Sequence, residues 1–244
     1  MKRLCTLAAC LVLTLTAAVG HTYVLCVGVA DYPGRRNDLK LSARDAVTMQ
    51  ELYQRNGQST VRLFTDAEAT VNTVMQTFQQ LCSLATEDDA VVFFFSGHGM
   101  PGAFVCHDGF LSYNDIITHL TNSRAGRKII LADACFAGKA RRTDERTAQA
   151  DGEAYSNKGV LFFLSSRTNE KSIEIRTMQN SLFTAYMERG LRGGADTNLD
   201  RTITAREIFD FVSQGVAERS GQRQHPVMWG RFSDDMPLMQ WPTQ

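Results

Sequence analysis

Val91-Val92-Phe93-Phe94-Phe95-Ser96-Gly97-His98-Gly99 is an unbroken apolar run that stops on an imidazole between two glycines. Ile129-Ile130-Leu131-Ala132-Asp133-Ala134-Cys135-Phe136-Ala137-Gly138 is a second such run, and it stops on a thiol followed by small residues. Short apolar stretches without alternation read as strands buried on both faces, as in a parallel sheet. In open α/β sheets the carboxyl edge is where ligands and reacting groups collect. One run carries an imidazole to that edge and the other a thiol, the minimum equipment for a cysteine nucleophile with a histidine partner. Gly97 and Gly99 let the backbone turn sharply and approach a ligand closely.

The chain around these runs alternates strands with helices. Residues 23–30 read as a buried first strand, closed by the turn Asp31-Tyr32-Pro33-Gly34. Ser42 can cap a helix through about Asn56, with Ala46, Met49, Leu52 and Tyr53 on one face. Residues 59–64 alternate as a second strand, and 70–84 form an amphipathic helix. Residues 104–111 suggest a small hairpin and 113–120 a short helix. Residues 139–158 are polar and charged without periodicity, which suits an exposed mobile loop, and loops this long without structure are usually functional or disordered. A strand at 159–165 and helices at 182–191 and 205–219 follow. This order predicts an α/β fold, a three-layer α/β/α sandwich with a mostly parallel central sheet. No repeat or linker marks a second domain.

The 244 residues are 43% hydrophobic and 21% charged, an ordinary globular balance. Net charge is zero, which gives no argument for a nucleic-acid partner. Residues 1–20 read as a signal peptide: Lys2 and Arg3 form a basic start, residues 4–19 are apolar, and Ala18-Val19-Gly20 supplies small residues for cleavage. The expectation is an exported domain over residues 21–244, periplasmic or secreted, with no stable membrane partner. Removing Lys2 and Arg3 from 26 basic residues leaves 24 against 26 acidic, a net of −2. The same cut leaves Cys26, Cys82, Cys106 and Cys135. Cys26 falls in an apolar strand and Cys82 on an apolar helix face, so both read as buried thiols rather than disulfide partners. No cysteine or histidine spacing suits a metal.

Asp133 interrupts the second run. An acid is costly in an apolar strand unless it faces a polar site. Ser-Gly-His-Gly followed by Asp-Ala-Cys-Phe-Ala-Gly resembles the caspase-like cysteine peptidases, their metacaspase-like and bacterial branches in particular. Residues 23–32, the segment 37–49 with Asp45-Ala46, residues 161–174, and the stretch from Asp196 to Glu207 extend the likeness over about residues 22–232. The resemblance implies the caspase-like fold, a polypeptide substrate, and hydrolysis through a Cys135/His98 dyad and a thioester, without a cofactor. It implies an oxyanion hole from the N–H groups of Gly99 and Cys135. It also implies an S1 pocket built on Asp45 and Asp133, and two recessed carboxylates favour Arg or Lys. Asp45 also suits the positive end of its helix.

The chain departs from the caspase signature Q-A-C-[RQG]-G. Asp133 stands where that signature has Gln, and His98 lies 37 positions before Cys135 rather than about 50. Two other classes fit the same residues: a clostripain-like cysteine peptidase, and a non-catalytic module that binds peptides. Several metacaspases depend on calcium; Asp108 and Asp144 are the acids that could serve, and that dependence is left open. Asp196, Asn198, Asp200, Thr202 and Glu207 match calcium-loop positions, but Arg201 stands where the loop needs Gly. Thr204 and Glu207 scan instead as a capping box, which is the preferred reading. Finally, residues 139–158 put basic side chains directly after the thiol, so Arg142 and Lys158 are candidates for self-cleavage.

Overall fold

The computed structural model describes residues 20–134, 159–166 and 178–242. Its centre is a six-stranded sheet in the order β10-β8-β7-β3-β1-β2. The strands are β1 (Thr22–Gly28), β2 (Ser59–Thr65), β3 (Ala90–Gly97), β7 (Arg127–Ala134), β8 (Leu161–Leu164) and β10 (Val227–Gly230). β10 alone is antiparallel to its neighbour. The mostly parallel sheet expected from the sequence is therefore present, with one antiparallel edge.

Side-chain alternation divides the core into two layers. On β3, Val91, Phe93 and Phe95 join a cluster with β1 residues Leu25 and Val27 and with Val74, Phe78, Ile116 and Leu120. These last come from helices α2 (Val71–Leu84) and α3 (Tyr113–Asn122). Val92 and Phe94 point the other way, toward Ala46, Met49, Phe183 and Ile208. Those sit on α1 (Ser42–Asn56), α4 (Leu182–Arg189) and α5 (Ala205–Arg219). Both faces are covered, which is why β3 shows no polar alternation. Phe95 stacks on Phe104 at 4.5 Å between centroids, a contact worth about 0.5–1.5 kcal/mol beyond the area it buries.

Two register facts position everything that follows. β1 and β7 flank β3, with Gly28 and Asp133 both aligned to Ser96. A methyl group on Gly28 would lie 2.4 Å from the Ser42 carbonyl and 2.7 Å from the Ala46 side chain. Only glycine there lets the first turn of α1 sit down on the strand end. β1 leads to β2 on one side and neighbours β3 on the other, so the sheet reverses its winding between them. That crevice is where open α/β sheets bind ligands.

Local details refine the sequence reading. Ser42 is the first helical residue of α1 and not its cap; Leu41, already near helical geometry, precedes it without a capping side chain. The expected hairpin is a three-stranded sheet, because β4 (Gly99–Met100) pairs with β5 (Ala103–Val105), which pairs with β6 (Phe110–Ser112). The helix expected over 182–191 ends at Arg189 and passes into a wider turn over Gly190–Gly194. β9 (Thr202–Thr204) and β11 (Pro237–Gln240) pair in a separate two-stranded sheet. Thr204 and Glu207 form the expected capping box. Cys26, Cys82 and Cys106 are buried free thiols, and burial lifts the pKa of each. Among the described residues no helix is long and apolar enough to cross a membrane.

Candidate active site

Strand parity puts a polar cluster beneath the carboxyl edge. Ser96 follows Val92 and Phe94 on the side facing α1 and α4, and Asp133 lies beside it in register on β7. Asp45 comes from the first turn of α1. All three are buried, with 1%, 4% and 0% of their surface exposed. Asp45 Oδ2 accepts from the Ser96 hydroxyl at 2.9 Å. Its Oδ1 accepts from Asn180 Nδ2 and the Ser181 peptide N–H, both at 3.0 Å. Asp133 Oδ2 accepts from the Ser181 hydroxyl and, at 3.2 Å, from Thr184 Oγ1. Ser181 thus reaches both acids, and its oxygen also caps α4 by accepting the Thr184 N–H at 3.3 Å.

Every one of these donors is neutral. Burial raises the Asp45 pKa to about 7, and the nearby Asp133 charge pushes the same way; Asn180, Ser181 and Ser96 offset part of the rise. Two carboxylates buried together make a strong locus of negative potential at the strand ends. The structure places Asp45 and Asp133, the two acids the resemblance pairs, in one cluster with Ser96, Asn180, Ser181 and Thr184. Ser96 was findable, since its period-two parity matches its neighbours Val92 and Phe94. Ser181-Leu-Phe-Thr184 carries an ordinary N-cap pattern, and nothing in it signals contact with two distant acids.

His98 lies just past β3, half-buried. Its Nε2 is 2.7 Å from the Asn37 carbonyl oxygen. A carbonyl only accepts, so Nε2 carries the proton and Nδ1 keeps its lone pair for another donor. Its peptide N–H donates to Tyr32 Oη at 2.8 Å, and its carbonyl accepts the Val105 N–H at 2.9 Å. The orienting group is a main-chain oxygen, which any residue at position 37 would supply, so no sequence pattern could reveal it. Gly99 opens β4 opposite Phe104. Cys135, Arg142 and Lys158 lie outside the described residues.

The acids considered for calcium take part in local hydrogen bonds. Asp196 accepts the peptide N–H groups of Asp200 and Arg201, and Asp200 that of Thr202. Glu207 is held by Thr197 and Thr204. Asp108 accepts the first N–H of α2, from Val71, at 2.8 Å. Asp144 is outside the described residues. Among the described residues no group of histidine, cysteine or acid side chains is placed to hold a metal.

The buried pair predicts a stability signature. In the unfolded chain Asp45 titrates near 3.9, whereas in the fold it titrates near 7. The folded state binds the proton more tightly, so this contribution is full below about pH 4 and lost as pH rises through 7. Asn in place of Asp45 can keep the acceptor toward Ser181 and turn its NH2 toward Ser96. Asp45→Asn should therefore gain roughly 2–4 kcal/mol on wild type between pH 4 and pH 8. Urea unfolding of both proteins at the two pH values checks this; parallel pH curves would contradict it.

Comparison with known proteins places this geometry. The family model for the caspase domain matches residues 21–236. No curated protein matches the chain. Among solved structures, protein GSU0716 from Geobacter sulfurreducens superposes with a TM-score of 0.68 at 16% identity, covering 91% of this chain and 100% of its own. Caspase-1 from Spodoptera frugiperda superposes with a TM-score of 0.68 at 14% identity, covering 93% of this chain and 92% of its own. Those likenesses establish a caspase-like fold, and the family match extends over most of the sequence. The chain belongs to the caspase-domain family.

Proposed function

We propose that this caspase-family domain is a cysteine endopeptidase that cleaves polypeptides after Arg or Lys through a Cys135/His98 dyad. The observation that carries the reading is the His98 imidazole, fixed by Asn37 through Nε2, just past the end of the strand that borders the one leading into Cys135. In the proposed reaction Nδ1 takes the thiol proton and the thiolate attacks the scissile carbonyl. The N–H groups of Gly99 and Cys135 hold the oxyanion, an arrangement that can supply about 3 kcal/mol. The imidazolium gives its proton to the departing amine, leaving an acyl thioester. Water then attacks that thioester with His98 as base, releasing the acid and the free thiol.

Specificity is assigned to Asp45 and Asp133. A guanidinium or ammonium entering beside them is attracted by both carboxylates. An acidic side chain would meet like charge in a desolvated place. Asp45 takes up a proton as pH falls through about 7, which weakens its hold on a cation. A positional peptide library should therefore show cleavage after Arg and Lys and none after Asp. KM for an arginyl peptide should rise as pH drops from 8 to 6. Cys135→Ala should lower kcat by at least about a thousandfold and leave the fold intact. Preference for Asp or for apolar residues would sink the pocket assignment, and an active Cys135→Ala protein would sink the nucleophile.

The same reading covers the two ends of processing. Export with loss of residues 1–20 leaves a mature chain starting at His21. The basic residues after Cys135 are tethered beside the catalytic centre, so intramolecular cutting after Arg142 or Lys158 is effectively concentrated. Intact-mass measurement on the exported protein should give a mature chain starting at His21. It should also give fragments ending at Arg142 or Lys158 in wild type and not in Cys135→Ala. A retained Met1 contradicts the first statement. Identical fragments in both proteins, or none from an active wild type, contradict the second.

A further inference from the structure

Tyr32 sits in the turn after β1, in Asp31-Tyr32-Pro33-Gly34, where side chains usually face water. Only 5% of it is exposed. Its hydroxyl accepts the His98 peptide N–H at 2.8 Å and donates to the Val105 carbonyl at 3.1 Å. Its ring lies 4.8 Å from the imidazole, centroid to centroid, at 41°. A methyl group on Gly97 would come within 2.7 Å of the Tyr32 hydroxyl, so the residue before His98 must stay small for this contact to exist. Burial holds the hydroxyl protonated well above the ordinary tyrosine range, so it remains a donor to Val105.

The backbone of Tyr32 is bonded to the loop that carries the acceptor of the same imidazole. Its N–H donates to Asp38 Oδ1 at 3.2 Å. Asp38 is the neighbour of Asn37, whose carbonyl fixes His98 Nε2. The loop is closed further by Leu39 N–H to Ala30 O at 2.8 Å and Asn37 N–H to Gly34 O at 3.1 Å. One residue is thus bonded both to the peptide that carries the imidazole and to the loop that carries its acceptor.

We propose that Tyr32 is a positioning residue for His98, setting the direction of the imidazole through its hydroxyl and the place of the Asn37 acceptor through its peptide N–H. This rests on the reading of His98 as the general base. A general base must sit within hydrogen-bond reach of its proton, and a misplacement of about 1 Å can cost about a hundredfold in rate. Phenylalanine at position 32 keeps the ring and deletes the bond to His98. Alanine at position 38 deletes the loop tie from an exposed side chain and leaves the core untouched.

The test uses the mature chain with an arginyl peptide substrate. Tyr32→Phe should lower kcat roughly ten- to a hundredfold, and Asp38→Ala by a smaller factor, each with KM unchanged. The second readout is the pH dependence of Cys135 alkylation by iodoacetamide. With the imidazole misdirected, the profile should move toward that of an isolated thiol, near pH 8.5. A tyrosine that only fills space would lower thermal stability and leave that profile in place. Folded variants with wild-type kcat and alkylation profile overturn the proposal. If Tyr32→Phe does not fold, Asp38→Ala decides alone on the same two readouts. His98→Ala separates the two claims: activity in that variant overturns the base assignment itself, whereas an inactive His98→Ala beside an unaffected Tyr32→Phe overturns only the positioning role.

Discussion

Two carboxylates buried side by side repel one another, and something must hold them together. Here it is the first turn of α4. Ser181 gives its N–H to Asp45 and its hydroxyl to Asp133, while Asn180 and Thr184 each reinforce one acid. Helix α4 therefore docks onto the sheet through the acids as well as through Phe183 and Met187. The same contacts set where α1 lies, since Asp45 belongs to it and Gly28 leaves the room for its approach. Register between β3 and β7 completes the arrangement by putting Ser96 beside Asp133.

Such a cluster costs stability. Apolar residues in those positions would leave the Ser181, Asn180 and Thr184 donors without acceptors, so the cost lies in the charges rather than in the hydrogen bonds. A buried acid whose proton affinity is raised by its surroundings is typical of a site prepared for something else. Under the proposed function that something is the cationic side chain of a substrate. The imidazole shows the opposite economy. Its setting is built from main-chain groups and one tyrosine, so it is held in direction without a buried charge of its own.

The sheet was legible because both faces of its strands are covered. Apolar runs such as Val91 to Phe95 have no other use in a chain of this composition, and their ends point to one edge. The pairing of Asp45 with Asp133 was legible through the caspase-like resemblance, and the physical reason for an acid in an apolar strand agrees with it. The capping box at Thr204 was readable from local chemistry alone. What the residues could not reveal is contact that depends on backbone placement. The Asn37 carbonyl is a group every residue carries, and Tyr32 looks like turn composition. Ser181 reads as a helix cap until the fold brings it within reach of two acids that stand far away in the chain. Ser42 misled for a related reason: it has the chemistry of a cap, but the chain is already near helical geometry one residue earlier.

We propose that one edge of the sheet combines a thiol nucleophile with an anionic pocket for a basic side chain. The most direct test is covalent trapping with matched peptidyl chloromethyl ketones that differ only in ending on arginine or aspartate. A single adduct on Cys135 is expected, formed far faster with the arginyl reagent, with that advantage lost in Asp45→Asn and Asp133→Asn. An adduct on another residue, or equal rates for the two reagents on the wild-type protein, would contradict it.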